Sequence, residues 1–374
     1  MAENKRTKKK GSTKKVKSIL RKEDRSFFEE LINTPSPTGF EWTGQKVWMD
    51  YITPFVDETF VDTYGTAVAT INPGQDYKVV IEAHCDEISW FVNYVTDNWL
   101  IYVRRNGWTD HQIAPAKRVI IHGKKWPVDG VFGRPAIHTR SHTKEQAPKV
   151  ENIFIDVGAK KKEEIEKMGI VVWSVITYPD PFMELNDRYY VGRAMDNRAG
   201  WFMIAQVARL LQKNKKKLPF TLHIINSVQE EIGLRGAEMI AHRLEPDVAI
   251  VTDVCHDTST PMMNKIKEWD TTCGKWPVLS VWPSVQNKLR DFIEDIADKK
   301  KLSFQRMAAS RRTWTDTDAF AYAKNGVASA LISLPLRYMH TTVEMVEKQD
   351  VENTIKLMYE CVCHLEKGQN FNYL

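Results

Sequence analysis

The 374-residue sequence predicts an α/β fold: a mostly parallel central sheet with helices on both faces, plus an inserted small β-rich, barrel-like domain. Three observations lead there. Uninterrupted apolar runs at Lys78 to Ala83, Phe220 to Asn226, Val248 to Thr252 and Ala328 to Leu334 have the character of strands buried on both faces. From Arg198 onward such runs alternate with helical segments, the pattern of a parallel sheet covered on both sides. Between about Phe91 and Pro181 the pattern changes to short strand-like pieces broken by turns at Gly107, Gly123, Gly133 and Gly158.

Taken in order, residues 1–22 read as a disordered basic tail carrying Lys5, Arg6, Lys8, Lys9, Lys10, Lys14, Lys15 and Lys17. A helix at Phe27 to Ile32 stops at the loop Thr34-Pro35-Ser36-Pro37-Thr38-Gly39, and a second covers Glu41 to Ile52. Thr59 to Asn72 alternates as a strand pair turning near Tyr64-Gly65, followed by the buried strand at Lys78. Within the insert, Trp99 to Val103, Arg118 to His122, Asp129 to Phe132 and Asn152 to Asp156 read as strands, and Lys161 to Met168 as a helix. Helices then fall at Ala199 to Gln212, Arg235 to Leu244, Asn287 to Lys299, Asp316 to Lys324 and Lys348 to Leu365, with a short strand at Phe304 to Ala308. The division expected is 23–91 with 182–374 as one α/β domain and 92–181 as the insert.

Composition narrows the function classes. Hydrophobic content of 43% and charged content of 27% are ordinary for a soluble globular chain. Much of the net charge of +5 lies in the first 25 residues, so the body is close to neutral, which argues against nucleic acid as a partner. The basic N-terminus lacks the apolar segment of a secretory signal, and no run approaches the roughly 18 apolar residues of a membrane span. Five cysteines with no Cys-x-x-Cys pair suit reduced thiols in a cytoplasmic protein.

The chemistry concentrates at strand ends. Glu230 and Glu231 follow the apolar run ending at Asn226, His84 follows Lys78 to Ala83, Asp253 follows Val248 to Thr252, and His340 follows the strand ending near Leu334. Asp196 stands just before a helix, where it could also serve as a cap. Open α/β sheets bind ligands beyond the carboxyl ends of their strands, so five separate loops supply one cleft. Two histidines and three carboxylates suit zinc, cobalt or manganese. They fill two sites only if a carboxylate bridges ions about 3.5–4 Å apart. Asp86, two residues from His84 on an extended segment, points the same way and could hold its ring. Cys255 and His256 read as bystanders, and His138 with His142, spaced i,i+4, falls in a loop-like stretch.

Five ordered motifs carry a resemblance: His84-Cys85-Asp86-Glu87-Ile88, Met195-Asp196-Asn197-Arg198, Gln229 through Ala237, Thr315-Asp316-Thr317-Asp318-Ala319, and Arg337 through Glu344. From about Pro35 to the C-terminal helix the chain resembles the M42 family of dinuclear metalloaminopeptidases. That resemblance implies two divalent ions per subunit, zinc first, with cobalt or manganese as alternatives. It implies Asp196 as the bridge, His84 and Asp253 completing one ion site, Glu231 and His340 the other, and Glu230 as general base. It further implies short peptides as substrates, and a homo-oligomer in which the insert builds dimers that assemble into a hollow tetrahedral dodecamer.

Other readings stay open on the residues alone. A deacylase or carboxypeptidase could use the same fold and metals, and a cellulase-like glycosidase would need only paired carboxylates. A catalytically silent scaffold is the remaining class. Substrate choice is expected from Thr258 to Asn264, from parts of the insert, and from Ser310 to Thr315, whose Arg311 and Arg312 would suit acidic side chains.

Overall fold

The computed structural model describes residues 18–140 and 146–374. Helices α1 (Lys22–Asn33) and α2 (Trp42–Ile52) lead into β1 (Glu58–Val61), β2 (Ala67–Ile71) and β3 (Lys78–His84). Next come β4 (Ser89–Val95), β5 (Ile101–Asn106), β6 (Arg118–His122), β7 (Pro127–Phe132), β8 (Phe154–Asp156), α3 (Lys162–Lys167) and β9 (Val175–Thr177). The chain continues through β10 (Met183–Leu185), β11 (Tyr189–Gly192), α4 (Met195–Lys213), β12 (Thr221–Ser227), α5 (Arg235–Leu244) and β13 (Val248–His256). It closes with β14 (Val278–Val281), α6 (Asn287–Lys300), β15 (Gln305–Ala308), α7 (Thr317–Ala321), β16 (Ala328–Arg337), β17 (Glu344–Glu347) and α8 (Lys348–His364).

The large sheet runs β1-β2-β12-β3-β13-β16-β17-β11-β10, with β14 and β15 attached to β16. Its centre, β12-β3-β13-β16, is parallel. These are the four apolar runs, buried because helices cover both faces. Antiparallel strands extend the sheet on both sides, so it is more mixed than strand–helix alternation suggests. One face carries α1, α2, α4, α6 and α8 over a continuous apolar core. The other carries α5 and α7 over a smaller one built on Val80, Ile225, Ile240, Val251 and Phe320. Strands β4-β5-β8-β7-β6-β9 close into a barrel with its own core around Trp90, Ile121, Phe132 and Ile155.

Register decides where the site lies. Strand β3 pairs with β12 as far as Ser227↔His84, but with β13 only as far as Val251↔Glu82. Beyond Val251, β13 continues alongside β16 alone to His256. Asp253 therefore sits within β13, not after it, and a cleft opens between His84 and Asp253 at the carboxyl end of the sheet.

Of the basic tail expected over 1–22, residues 1–17 lie outside the described residues, as does His142. Ser18 Oγ and Ile19 N donate to the Glu352 carboxylate at 2.6 and 2.9 Å, and α1 begins at Lys22. Among the described residues, no helix is long and apolar enough to cross a membrane.

Candidate active site and metal centre

All seven residues singled out above meet in the cleft. Asp196 lies at the centre: its Oδ1 is 3.2 Å from His84 Nε2 and its Oδ2 is 3.3 Å from His340 Nε2. Asp253 Oδ1 stands 3.7 Å from His84 Nε2, and Glu231 Oε2 stands 3.6 Å from His340 Nε2. Two trios result, His84–Asp196–Asp253 and Asp196–Glu231–His340, each with one donor atom per residue and all donors within 4.8 Å of one another. Asp196 belongs to both. Glu230 Oε2 reaches to 3.8 Å of His84 Nε2.

Local structure explains each placement. The first turn of α4 is irregular at Asp196 and Asn197, and the helix is capped by Asn197, whose Oδ1 accepts from Gly200 N at 3.1 Å. The Asn197 Nδ2 group also donates to Thr252 O at 2.9 Å, pinning this turn beside Asp253. Capping thus falls to Asn197, and the carboxylate of Asp196 remains available to the cleft. After β12 the chain turns through a single 3-10 turn, Glu230–Ile232, before α5 starts. Helix α5 can approach that closely because residue 236 is glycine: a Cβ there would lie 2.5 Å from Val228 N and O.

Asp86 does more than face His84. Its Oδ1 lies 3.3 Å from His84 Nδ1, which has no hydrogen bond of good geometry. Its two oxygens also accept from Glu230 N at 2.9 Å and Glu231 N at 3.2 Å, and Thr38 Oγ1 donates to Oδ2 at 2.9 Å. Glu87 next to it is gripped by Arg193 and, at 2.6 Å, by Arg198 Nη2, which ties the β3 end to α4.

The electrostatics call for a cation. Burial pushes Asp253 up to about 8, helped by the charge of Asp196. Burial likewise drives Glu230 and Glu231 well above the ordinary carboxylate range, against the pull of His84 and His340. Asp196 is the exception: burial opposes its ionisation, but hydrogen bonds from His340 and His84 hold its pKa down. His340 is held up to about 10, because Glu231 and Asp196 outweigh the effect of its burial. Among the described residues, no lysine or arginine pairs with Asp196, Glu230, Glu231 or Asp253. Buried carboxylates without a cation are costly, and imidazole nitrogens with carboxylate oxygens form the donor set of a borderline divalent ion. The residues present fit such ions.

Among the described residues, the other histidines and the arginines belong to neither trio. His138 lies in an exposed 3-10 turn, Ile137–Thr139, and His256 stacks on Trp269. Arg311 and Arg312 are exposed. Three further groups support the site and were given no role from the sequence, although Asp316 and Glu344 lie inside two of the motifs that carry the family resemblance. Thr38 lies in a loop otherwise read as punctuation, and Glu344 is four residues past His340. Glu82 and Asp316 form a buried carboxyl pair bridged by Ser227 Oγ, and burial pushes both acids up.

An α/β fold with an inserted barrel and a cleft of paired histidine–carboxylate trios defines a class of metallopeptidase. The sequence profile described as M42 glutamyl aminopeptidase matches residues 65–357, and the chain belongs to that family of peptide hydrolases. It is 31% identical to the lysyl aminopeptidase of Pyrococcus furiosus, over 89% of this chain and 95% of the relative. The TET aminopeptidase of Thaumarchaeota archaeon SCGC AB-539-E09 superposes with a TM-score of 0.88 at 27% identity, covering 92% of this chain and 98% of that one. PhTET1-12s, solved as a dodecamer, superposes with a TM-score of 0.81 at 25% identity, covering 91% and 99%.

Proposed function

We propose that this protein removes N-terminal residues from short peptides, with two divalent ions bridged by Asp196 and with Glu230 as general base. The observation that carries the reading is the one carboxylate of Asp196 shared between two histidine-containing trios. His84, Asp196 and Asp253 would hold one ion, and Asp196, Glu231 and His340 the other. Zinc is the first choice, and cobalt or manganese suits the same donors. When bound, the ions would polarise the scissile carbonyl and lower the pKa of bound water.

The protein's own groups do the rest. Glu230 takes a proton from the attacking water and passes it to the departing amine. Its burial raises its affinity for that proton, so it can hold the proton until the amine departs. Asp86 holds the backbone of Glu230 and Glu231 and orients His84. Exposed Trp108, Trp126 and Trp173 on the barrel support 92–181 as the dimer-forming surface, and PhTET1-12s supports a dodecamer. A hollow assembly would limit substrates to short peptides. The five free cysteines suit a cytoplasmic location.

The test is hydrolysis of free and N-acetylated aminoacyl chromogenic substrates by chelated protein reloaded with zinc, cobalt or manganese. Activity requiring both metal and a free amine is the expected result. Cleavage of blocked substrates alone would assign a deacylase, and metal-independent cleavage would overturn the reading.

A further inference from the structure

Glu344 opens β17 and is only 2% exposed. Its two oxygens take backbone amides from two distant parts of the chain: Oε1 accepts from His340 N at 2.6 Å, and Oε2 accepts from Asp196 N at 3.1 Å. Those are the two residues whose side chains meet at 3.3 Å in the cleft. Neither stands on regular backbone. Asp196 lies in the irregular first turn of α4, and His340 has φ +61°, in the left-handed region that non-glycine residues seldom occupy. The His340 conformation persists only where the surroundings fix it. Asp86 plays the matching part on the other side, accepting from the amides of Glu230 and Glu231. The cleft is thus held from outside by two carboxylates, each bonded to the backbone of two cleft residues.

We infer that Glu344 is a positioning residue: by accepting both amides it sets the separation of Asp196 and His340, and so builds the ion site they share with Glu231. This rests on the two-ion reading above. The geometry requires a carboxylate. Both oxygens of Glu344 act as acceptors, whereas glutamine offers one acceptor and one donor, and would turn an N–H toward one of the two amides. That amide would then be left buried and unpaired, and the residue carrying it free to shift.

The test uses the full chain, titrated with cobalt and then challenged with a competing chelator, following the visible absorption of bound cobalt and the metal-to-protein ratio. Asp350→Asn is the control. Asp350 also accepts two backbone amides, Gly274 N and Trp276 N, but belongs to neither trio. Wild type and the control are expected to take up two ions. Glu344→Gln is expected to fold, to keep one ion, and to lose the other at a chelator concentration at least ~10-fold lower than wild type requires. Glu344→Asp, too short to span both amides, should lose the same ion first. A folded Glu344→Gln that keeps both ions with wild-type chelator resistance overturns the inference. So does failure of both Glu344 variants to fold where Asp350→Asn folds, since the role would then lie in the fold. Wild type that binds no cobalt defeats the two-ion reading itself, and is told apart by that.

Discussion

Gly107, on the turn that leaves β5 of the barrel, lies directly against Glu231 of the cleft. A Cβ on Gly107 would stand 3.2 Å from the Cβ of Glu231 and 3.4 Å from its carbonyl oxygen, and residue 107 has φ +73°. The barrel therefore forms part of the wall behind a candidate metal-holding carboxylate. Asn106 fastens the same turn, its Nδ2 donating to Thr38 O at 2.9 Å and to Ser89 Oγ at 2.8 Å.

Gly107→Ala is expected to cost about 1 kcal/mol or more, because alanine is strained at that φ and its methyl group presses on Glu231. It should also weaken ion binding by the Glu231 trio. Thermal unfolding and metal content after dialysis against chelator read the two effects. An unchanged melting temperature together with unchanged metal content would mean that the contact yields freely.

Glu230→Gln preserves size and leaves both trios intact, but cannot carry a proton. Metal content and melting temperature should match wild type, while kcat on an aminoacyl substrate falls by about 10²–10⁴. Near-normal turnover would sink the general-base assignment.

Asp86→Asn places a donor where two oxygens now accept from Glu230 N, Glu231 N and Thr38 Oγ1. One of these donors loses its partner, at a cost of about 1–3 kcal/mol in stability. Metal affinity should weaken by roughly 10–100-fold, as is usual when a partner behind a metal ligand is lost. Equilibrium dialysis with denaturant unfolding separates the two. Wild-type affinity in a folded variant would remove Asp86 from the metal-supporting role.

His223 on β12 bonds Thr70 Oγ1 at 3.0 Å and is held down to about 4, first by burial and then by the charge of Lys78. The folded protein thus binds this proton less readily than the unfolded chain, whose histidine titrates near 6.5. Stability from neutral His223 is fully present above pH 6.5 and is lost as pH falls toward 4, by about 3 kcal/mol in all. His223→Asn keeps a polar partner for Thr70 and removes the titration. Urea unfolding at pH 7 and pH 4.5 should therefore show a steeper acid loss in wild type than in the variant. Parallel losses would place the titration elsewhere.

What was legible in the sequence follows from how each element is stabilised. The parallel core was readable because strands buried on both faces must be apolar along their whole length. Strand β3 extends one residue beyond its predicted range, and α5 matches its range. The strands β4, β9, β10, β11, β14 and β17 were not anticipated. Apart from the seven-residue β4 they are short, and β10 and β17 carry glutamates, so pairing with neighbouring strands makes them strands where their own composition does not. Strand β16 was expected to stop before Pro335 but runs to Arg337. Pro335 falls between the stretch paired with β14 and the stretch paired with β17. The helix expected from Asp316 to Lys324 shortens to Thr317–Ala321.

By itself the sequence determined which residues could do chemistry, because histidines and acids next to apolar strand ends are improbable without a task, and because their motifs mark the M42 family. Only the tertiary structure decided how they are arranged. The early end of β3–β13 pairing opens the cleft, Asn197 relieves Asp196 of capping, and Asp86 and Glu344 hold four backbone amides in register. The physical reason is range. Periodicity and propensity act over a few residues, whereas the contacts of Asn197 with Thr252, of Asp86 with Glu230 and Glu231, and of Glu344 with Asp196 join segments that lie far apart along the chain and meet only once the sheet has formed.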